Sequence, residues 1–214
     1  MLKGVIFDMD GVLVDSEKFI CEAGIRMFAE HGVEAKPEDF VPFVGAGENR
    51  YIGGVAEKHG FPIDIERDKA RTYEIYSEIV KGRLAPLPGV HEFISKCRAR
   101  GLKLAVATSA DEIKMVTNLK EIGIPPETFD TVVNGLDVER RKPDPEIFLQ
   151  AAGKLGLSGE ECLVVEDAVN GVKAAKAAGA RCLGLTTSFT PGDLEGADWI
   201  SSTLADAPDA ALDW

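Results

Sequence analysis

Short apolar runs alternate along the chain with segments of helical pattern, and this alternation limits the possible folds more than any other feature. Such an order is typical of a parallel β-sheet covered by helices. Runs such as "CLVV" are apolar without interruption, which indicates strands buried on both faces. The predicted strands are residues 4–7, 103–107, 131–133, 162–165 and 182–185.

Glycine and proline mark the ends of the helices predicted between these strands. Gly101, Gly123 and Gly179 each follow a helical pattern, at the position where a left-handed residue commonly ends a helix. Pro145 stands at a first helical position, where the missing N–H costs nothing. The predicted helices are residues 92–100, 111–122, 145–155 and 169–178.

Residues 16–82 interrupt the alternation, because they contain helical patterns and no convincing core strand. The predicted helices here are residues 16–31, 49–59 and 65–80. A crossover between parallel strands needs only one helix. We therefore expect residues 16–82 to form a small helical domain inserted after the first strand, above an α/β core of residues 1–15 and 83–214.

Charge and cysteine usage exclude several classes of partner. Lysine and arginine number 24 against 36 aspartates and glutamates, a formal net charge of −12, which argues against nucleic acid or an anionic membrane as the partner. We find no signal-peptide pattern and no apolar stretch of membrane-spanning length. The four cysteines have no metal-ligand spacing, so we expect reduced thiols in a cytoplasmic protein.

Polar residues follow several predicted strands, at the edge where open parallel sheets bind ligands. A bare carboxylate at the end of a buried strand is costly unless a positive charge compensates it. Mg²⁺ is the simplest remedy, because it prefers carboxylate, water and phosphate oxygens. The strand-end residues are Asp8, Asp10, Thr108, Lys142, Glu166 and Asp167.

This set of residues suits phosphoryl transfer, which requires mainly positioning and charge neutralisation. With Asp8 and Asp167 on the metal, Thr108 and Lys142 remain as donors to the other phosphoryl oxygens. An aspartate can act as nucleophile and form an aspartyl-phosphate, while a second carboxylate serves as acid and base. If the chain stays extended after Asp8, Asp10 lies on the same side.

Four motifs, in the same order along the chain, resemble those of the haloacid dehalogenase superfamily of phosphotransferases. The matching stretches are "DMDGVLVDS", "VATSA", "KPDP" and "VVEDAVNG". The resemblance covers essentially the whole chain and is to the subgroup, including β-phosphoglucomutase, that carries a helical cap after the first strand. It implies a Rossmann-like core with that cap.

The resemblance also implies a role for each motif residue. Asp8 would be the nucleophile and a Mg²⁺ ligand, and Asp10 the acid/base that also offers its main-chain carbonyl to the metal. Asp167 would be a further metal ligand. The residues left for the phosphoryl group are Thr108 and Lys142, with Glu166 supporting Lys142 or the metal's water shell.

The stretch "GAGENR", residues 45–50, resembles a dinucleotide-binding loop but lacks the third glycine and a preceding strand. In the family, the corresponding cap loop faces the active site and contacts the substrate. The resemblance therefore implies Glu48, Asn49 and Arg50 as substrate contacts, and Arg50 could bind an anionic group through two hydrogen bonds. A flexible turn with a surface arginine is the alternative.

Three functions stay open at this point. The leading hypothesis is a monomeric, Mg²⁺-dependent phosphatase that acts on a small phosphorylated metabolite such as a sugar phosphate. The second is a phosphomutase like β-phosphoglucomutase, although such mutases carry a cap histidine where this chain has Ile20. The third is a non-catalytic binding protein, which the intact motifs disfavour. Dehalogenases of the superfamily lack an acid/base residue at the position of Asp10.

Overall fold

A six-stranded parallel sheet, with strand order β3-β2-β1-β4-β5-β6, lies at the centre of the computed structural model. The structure describes residues 1–45 and 47–214, so Ala46, within the stretch 45–50, lies outside the described residues. The strands are β1 Gly4–Phe7, β2 Lys103–Ala107, β3 Thr131–Val133, β4 Cys162–Glu166, β5 Arg181–Leu185 and β6 Trp199–Ser201.

Strand β1 occupies the middle of the sheet, between β2 and β4. Phe7 lies opposite Val106 on one side and Val165 on the other, so the carboxyl ends of the three strands are level. The chain continues from β1 to β2 on one side and reaches β4 on the other, which makes this the switch point of the strand order. Ligands of open parallel sheets bind in the crevice at such a point.

Helices cover both faces of the sheet. Val5 and Phe7 point into a core shared with the nearer helices of one face, whereas Ile6 points into the core of the opposite face. This alternation explains why the strands carry no polar face. The helices that follow residue 82 are α5 Val90–Ala99, α6 Glu112–Glu121, α7 Glu146–Lys154 and α8 Val169–Ala177.

The segment of residues 16–82, which we call the helical insertion, lies between β1 and β2. Its helices are α1 Glu17–Glu30, α2 Pro37–Phe40, α3 Glu48–His59 and α4 Ile65–Val80. Two polar contacts join α4 to α6 and to the residue preceding it. Lys69 Nζ lies 3.0 Å from a carboxylate oxygen of Asp111, and the Tyr76 hydroxyl lies 2.5 Å from Asn118 Oδ1. That the insertion is a separate domain stays a prediction.

The predicted fold class, a Rossmann-like α/β sheet, is confirmed. Strands β1, β2 and β3 have the predicted bounds, and β4 and β5 each extend by one residue. Strand β6 and the short helix α2 were not predicted. Strand β6 has only three residues and lies at the sheet's edge, where Ile200 is exposed, so it lacks the apolar run that marks the others.

The structure also bears on the expectations about membranes and thiols. Within the described residues, no helix combines the length and the apolar character that crossing a membrane requires. All four cysteines are free, and Cys97, Cys162 and Cys182 are buried. The expectation of unpaired thiols is confirmed.

Candidate active site

Asp8 extends strand β1 by one more ladder hydrogen bond and ends in the crevice beyond the sheet. Its amide donates to the carbonyl of Val165 at 2.9 Å, and its side chain is almost wholly buried. The chain then turns at Gly11, which has φ +77°. A Cβ at Gly11 would lie 1.9 Å from Asp167 Oδ2, so glycine lets this loop approach the second carboxylate closely.

Lys142 joins the first and fourth strands through two short ion pairs. Its Nζ lies 2.5 Å from Asp8 Oδ1 and 2.6 Å from Glu166 Oε1. The other oxygen of Glu166 accepts hydrogen bonds from the amides of Asp167 and Ala168 at 2.9 and 2.8 Å. Both carboxylate oxygens of Glu166 therefore have hydrogen-bond partners, and Glu166 places the ammonium group of Lys142 beside Asp8.

Asp10 is held by a different pair of partners. Ser16 Oγ donates to Asp10 Oδ1, and Lys114 Nζ donates to Asp10 Oδ2 at 2.9 Å. Asp8 and Asp10 line the same cavity, which agrees with their predicted placement on one side. Asp10 is thus oriented without a contact to Lys142 and is free for a separate chemical role.

Thr108 follows strand β2 and is buried beside the same crevice. Its amide donates to the carbonyl of Val133 at 3.0 Å, and its Oγ1 accepts a hydrogen bond from the amide of Ala110 at 3.1 Å. Because the hydroxyl oxygen accepts from the protein, its proton remains available to a ligand oxygen.

Burial raises the pKa of two carboxyl groups at the strand ends. The pKa of Asp8 rises to about 7 because desolvation outweighs the opposing effect of Lys142. The pKa of Asp167 rises to about 8 through desolvation and then through repulsion by Glu166 and Asp8. The single lysine between them therefore does not compensate the combined negative charge.

This donor set fits Mg²⁺. No three histidine, cysteine or acidic side chains of the described residues converge to form a metal site by themselves. Mg²⁺ needs no such cage, since it commonly takes one or two carboxylates together with water and substrate phosphate. Asp8 and Asp167 line one cavity and repel each other, so a divalent cation would supply the charge that Lys142 does not.

A cavity of about 640 Å³ opens from these groups toward the helical insertion. Of the three predicted substrate contacts in the insertion, Glu48 lines the cavity, buried at the start of α3. Asn49 and Arg50 are exposed and are not among its lining residues. Arg50 instead binds Glu57 through two hydrogen bonds of 2.8 Å. Direct substrate contacts by Asn49 and Arg50 stay predictions.

Sequence reasoning missed Lys114 and Ser188. Lys114 is buried on α6 and lies within 3.8 Å of Glu48 as well as against Asp10. The sequence indicates this role only weakly, because Lys114 shares one helix face with the buried Met115, Asn118 and Leu119. Ser188 donates to Asp167 Oδ2, and it could have been found as a hydroxyl shortly after strand β5.

A protein-family model described as haloacid dehalogenase-like hydrolase matches residues 2–179. The chain belongs to this family. The predicted membership and the predicted hydrolase class are therefore confirmed.

Two of the curated relatives are at least 35% identical to this chain. The phosphorylated carbohydrates phosphatase of Thermotoga maritima is 35% identical, over 89% of this chain and 88% of its own length. Protein SUPPRESSOR OF QUENCHING 1, chloroplastic, of Arabidopsis thaliana is 43% identical over 92% of this chain. The match spans only 19% of that longer protein.

Solved structures of CbbY from Rhodobacter sphaeroides share the fold over nearly the whole length. A complex with phosphate has a TM-score of 0.90 at 27% identity and covers 100% of both chains. A variant of CbbY in complex with xylulose-(1,5)bisphosphate has a TM-score of 0.87 at 26% identity and covers 96% of both chains.

Proposed function

We propose that this protein is a Mg²⁺-dependent phosphatase that hydrolyses a small phosphorylated metabolite, such as a sugar phosphate, through an aspartyl-phosphate on Asp8. The observation that carries the proposal is a buried nucleophile candidate, Asp8, with Lys142 at 2.5 Å and with Asp10 and Asp167 in the same cavity. The relative in Thermotoga maritima is named a phosphatase of phosphorylated carbohydrates, which supports the same class of substrate.

In the first half of the reaction, a carboxylate oxygen of Asp8 attacks the phosphorus of the ester, and the bond from phosphorus to the ester oxygen breaks. Asp10 donates its proton to that oxygen, so a neutral alcohol leaves. Lys142 and the hydroxyl of Thr108 hold the phosphoryl oxygens. A Mg²⁺ ion held by Asp8, Asp167 and the carbonyl of Asp10 would neutralise phosphoryl charge.

In the second half, water attacks the phosphorus of the aspartyl-phosphate. Asp10, now ionised, accepts a proton from that water, and the bond from phosphorus to Asp8 breaks to release inorganic phosphate. Ser16 and Lys114 keep the carboxyl group of Asp10 in place during both halves. Glu166 keeps Lys142 beside Asp8.

Hydrolysis is favoured over a mutase reaction by the side chain at position 20. Ile20 lines the cavity and is buried, so it offers no proton or hydrogen bond where the related mutases carry a histidine. A mutase must also exclude water while it returns the phosphoryl group to a sugar, which a phosphatase need not do.

The free cysteines and the helical insertion support two further parts of the proposal. Four unpaired thiols, three of them buried, suit a reducing compartment such as the cytoplasm. The insertion itself covers the crevice at the strand ends, so a monomer can form the site. Gel filtration of the purified protein would measure the oligomeric state.

Phosphate release from a panel of sugar phosphates, nucleotides and phosphoglycolate tests the proposed function. We expect turnover of at least one ester with Mg²⁺, loss of turnover with EDTA, and recovery when Mg²⁺ is restored. Interconversion of hexose phosphates that depends on glucose 1,6-bisphosphate, faster than phosphate release, would contradict the proposal in favour of a mutase.

A further inference from the structure

The helical insertion contributes negative charge to the cavity and, within its described residues, no lysine or arginine side chain. Glu17 at the start of α1 and Glu48 at the start of α3 both line the cavity, as does Tyr51. Arg50, on the same helix as Glu48, is bound to Glu57 outside it. The part of the cavity that receives the leaving group is therefore acidic.

The cations that line the cavity from the rest of the described chain already have anionic partners. Lys142 binds Asp8 and Glu166 at the strand ends. Lys114 binds Asp10 at 2.9 Å and lies 3.8 Å from Glu48. One phosphoryl group can be held by Lys142 and Thr108. The guanidinium of Arg141 lies against Gly47 at the edge of the cavity but is not among its lining residues, so a second phosphate inside the cavity would meet the carboxylates of Glu17 and Glu48.

Several oxygen atoms beside this cavity are buried without a hydrogen-bond partner among the described residues. They are Glu17 Oε1, Glu48 Oε2 and the hydroxyl of Tyr51, a side chain that is 5% exposed. Lys114 lies 3.8 Å from Glu48 but also binds Asp10, so the oxygens of Glu17, Glu48 and Tyr51 remain to accept hydrogen bonds from ligand hydroxyl groups.

We propose that Glu17 and Glu48 make the enzyme selective for monophosphates of neutral polyhydroxy compounds and against the corresponding bisphosphates. This inference rests on the proposed phosphatase function and adds to it a preference for an uncharged leaving group. Hydroxyl groups donate to the two carboxylates and to Tyr51, whereas a second phosphate is repelled. Rejection through an unpaired like charge is a common basis of specificity.

The proposed selectivity against bisphosphates would distinguish this protein from CbbY, a variant of which has been crystallised with xylulose-(1,5)bisphosphate. The two folds agree closely, with a TM-score of 0.87. The predicted difference therefore lies in the side chains that the helical insertion presents to the leaving group, and not in the architecture.

Competition against p-nitrophenyl phosphate hydrolysis tests the proposal with the Mg²⁺-loaded full-length enzyme. The competitors are glucose 6-phosphate with glucose 1,6-bisphosphate, and xylulose 5-phosphate with xylulose 1,5-bisphosphate. We expect each monophosphate to compete at least ~10-fold more strongly than its bisphosphate, a ratio that one unfavourable charge contact accounts for. In the E17Q/E48Q double variant, we expect the ratio to fall below ~3-fold.

The matched control is E57Q, which removes a carboxylate from α3 outside the cavity and should keep the wild-type ratio. Because Glu48 also lies near Lys114, the double variant can lower kcat, so the ratio of inhibition constants is the deciding measurement. Equal or stronger competition by the bisphosphates in the wild type would overturn this inference alone. Absence of p-nitrophenyl phosphate hydrolysis would overturn the proposed function and this inference with it.

Discussion

The two ends of the cavity differ in how their buried polar atoms are satisfied. At the strand ends, Lys142 and main-chain amides occupy both oxygens of Glu166, and Asp8 has Lys142. At the helical insertion, oxygens of Glu17 and Glu48 have no partner among the described residues. The protein therefore preorganises the end that we propose performs the chemistry, whereas the proposed leaving-group end would take its hydrogen-bond donors from a ligand.

The largest expected effect is at the preorganised end. Asp8→Asn replaces the proposed nucleophile by an amide of the same shape, so turnover of any phosphate ester should fall by at least ~10³-fold. Steady-state phosphate release measures the loss, and circular dichroism checks that the fold is retained. Asp213→Asn, at an exposed ion pair with Arg100, is the control. Substantial turnover by Asp8→Asn would remove Asp8 as the nucleophile.

The second prediction concerns pH and metal at the same carboxylates. The pKa of Asp8 is raised to about 7 and that of Asp167 to about 8 in the metal-free fold, against an ordinary value near 4. The folded state then binds protons more tightly than the unfolded chain, so these groups lose their stabilising effect as pH rises from about 4 to about 8.

Mg²⁺ competes with those protons, so its stabilising effect should grow across the same pH range. We expect Mg²⁺ to raise Tm by ~3 °C or more near pH 8.5, about 1 kcal/mol for a chain of this size, and much less near pH 5. Thermal melts with Mg²⁺ or EDTA measure the difference. An equal shift at both pH values would place the metal away from Asp8 and Asp167.

The third prediction separates close packing at Glu166 from the general effect of adding a methyl group. A Cβ at Gly171 would lie 1.9 Å from the Glu166 carboxyl carbon, so Gly171→Ala must displace Glu166 and with it Lys142. We expect a loss of ~1–3 kcal/mol in the free energy of unfolding and a fall in kcat on the order of 10²-fold. Urea unfolding and kinetics measure the two effects.

Gly153→Ala is the matched control, because nothing lies within 4 Å of a Cβ at this other helical glycine. It should raise the free energy of unfolding by ~0.5 kcal/mol and leave kcat unchanged. Equal behaviour of the two alanine variants would show that Glu166 is not held by contact with α8.

The smallest expected effect comes from two tyrosines on α4, of which one has a hydrogen-bond partner for its hydroxyl and the other has none among the described residues. Tyr76→Phe leaves Asn118 Oδ1 buried without the hydroxyl that contacts it at 2.5 Å, so the free energy of unfolding should fall by ~1–2 kcal/mol. Tyr73→Phe removes a buried hydroxyl that has no partner among the described residues. This substitution should change the free energy of unfolding by less than ~0.5 kcal/mol. Paired urea titrations measure both, and equal losses would contradict the assignment of the Tyr76 contact.

The parts of the site that could be predicted are those that follow the ends of apolar strands. Asp8, Glu166 and Asp167 each end or follow such a strand, so the rule for parallel sheets predicted one shared crevice, and all three line it. Lys114 could not be predicted in this way, because its contact with Asp10 depends on which face of α6 packs inward. Arg50 shows the reverse case, since the family resemblance implied a substrate contact but Glu57 binds it on the surface.

Local pattern by itself determined the bounds of β1, β2 and β3 and the helical character of residues 16–82, because apolar periodicity and capping residues act over a few neighbouring positions. Only the tertiary structure decided that Glu17, Glu48 and Tyr51 line one cavity with the strand-end carboxylates. The physical reason is that this arrangement depends on how the helical insertion packs against the sheet. Such packing sums contacts between residues far apart in the chain, which no local spacing records.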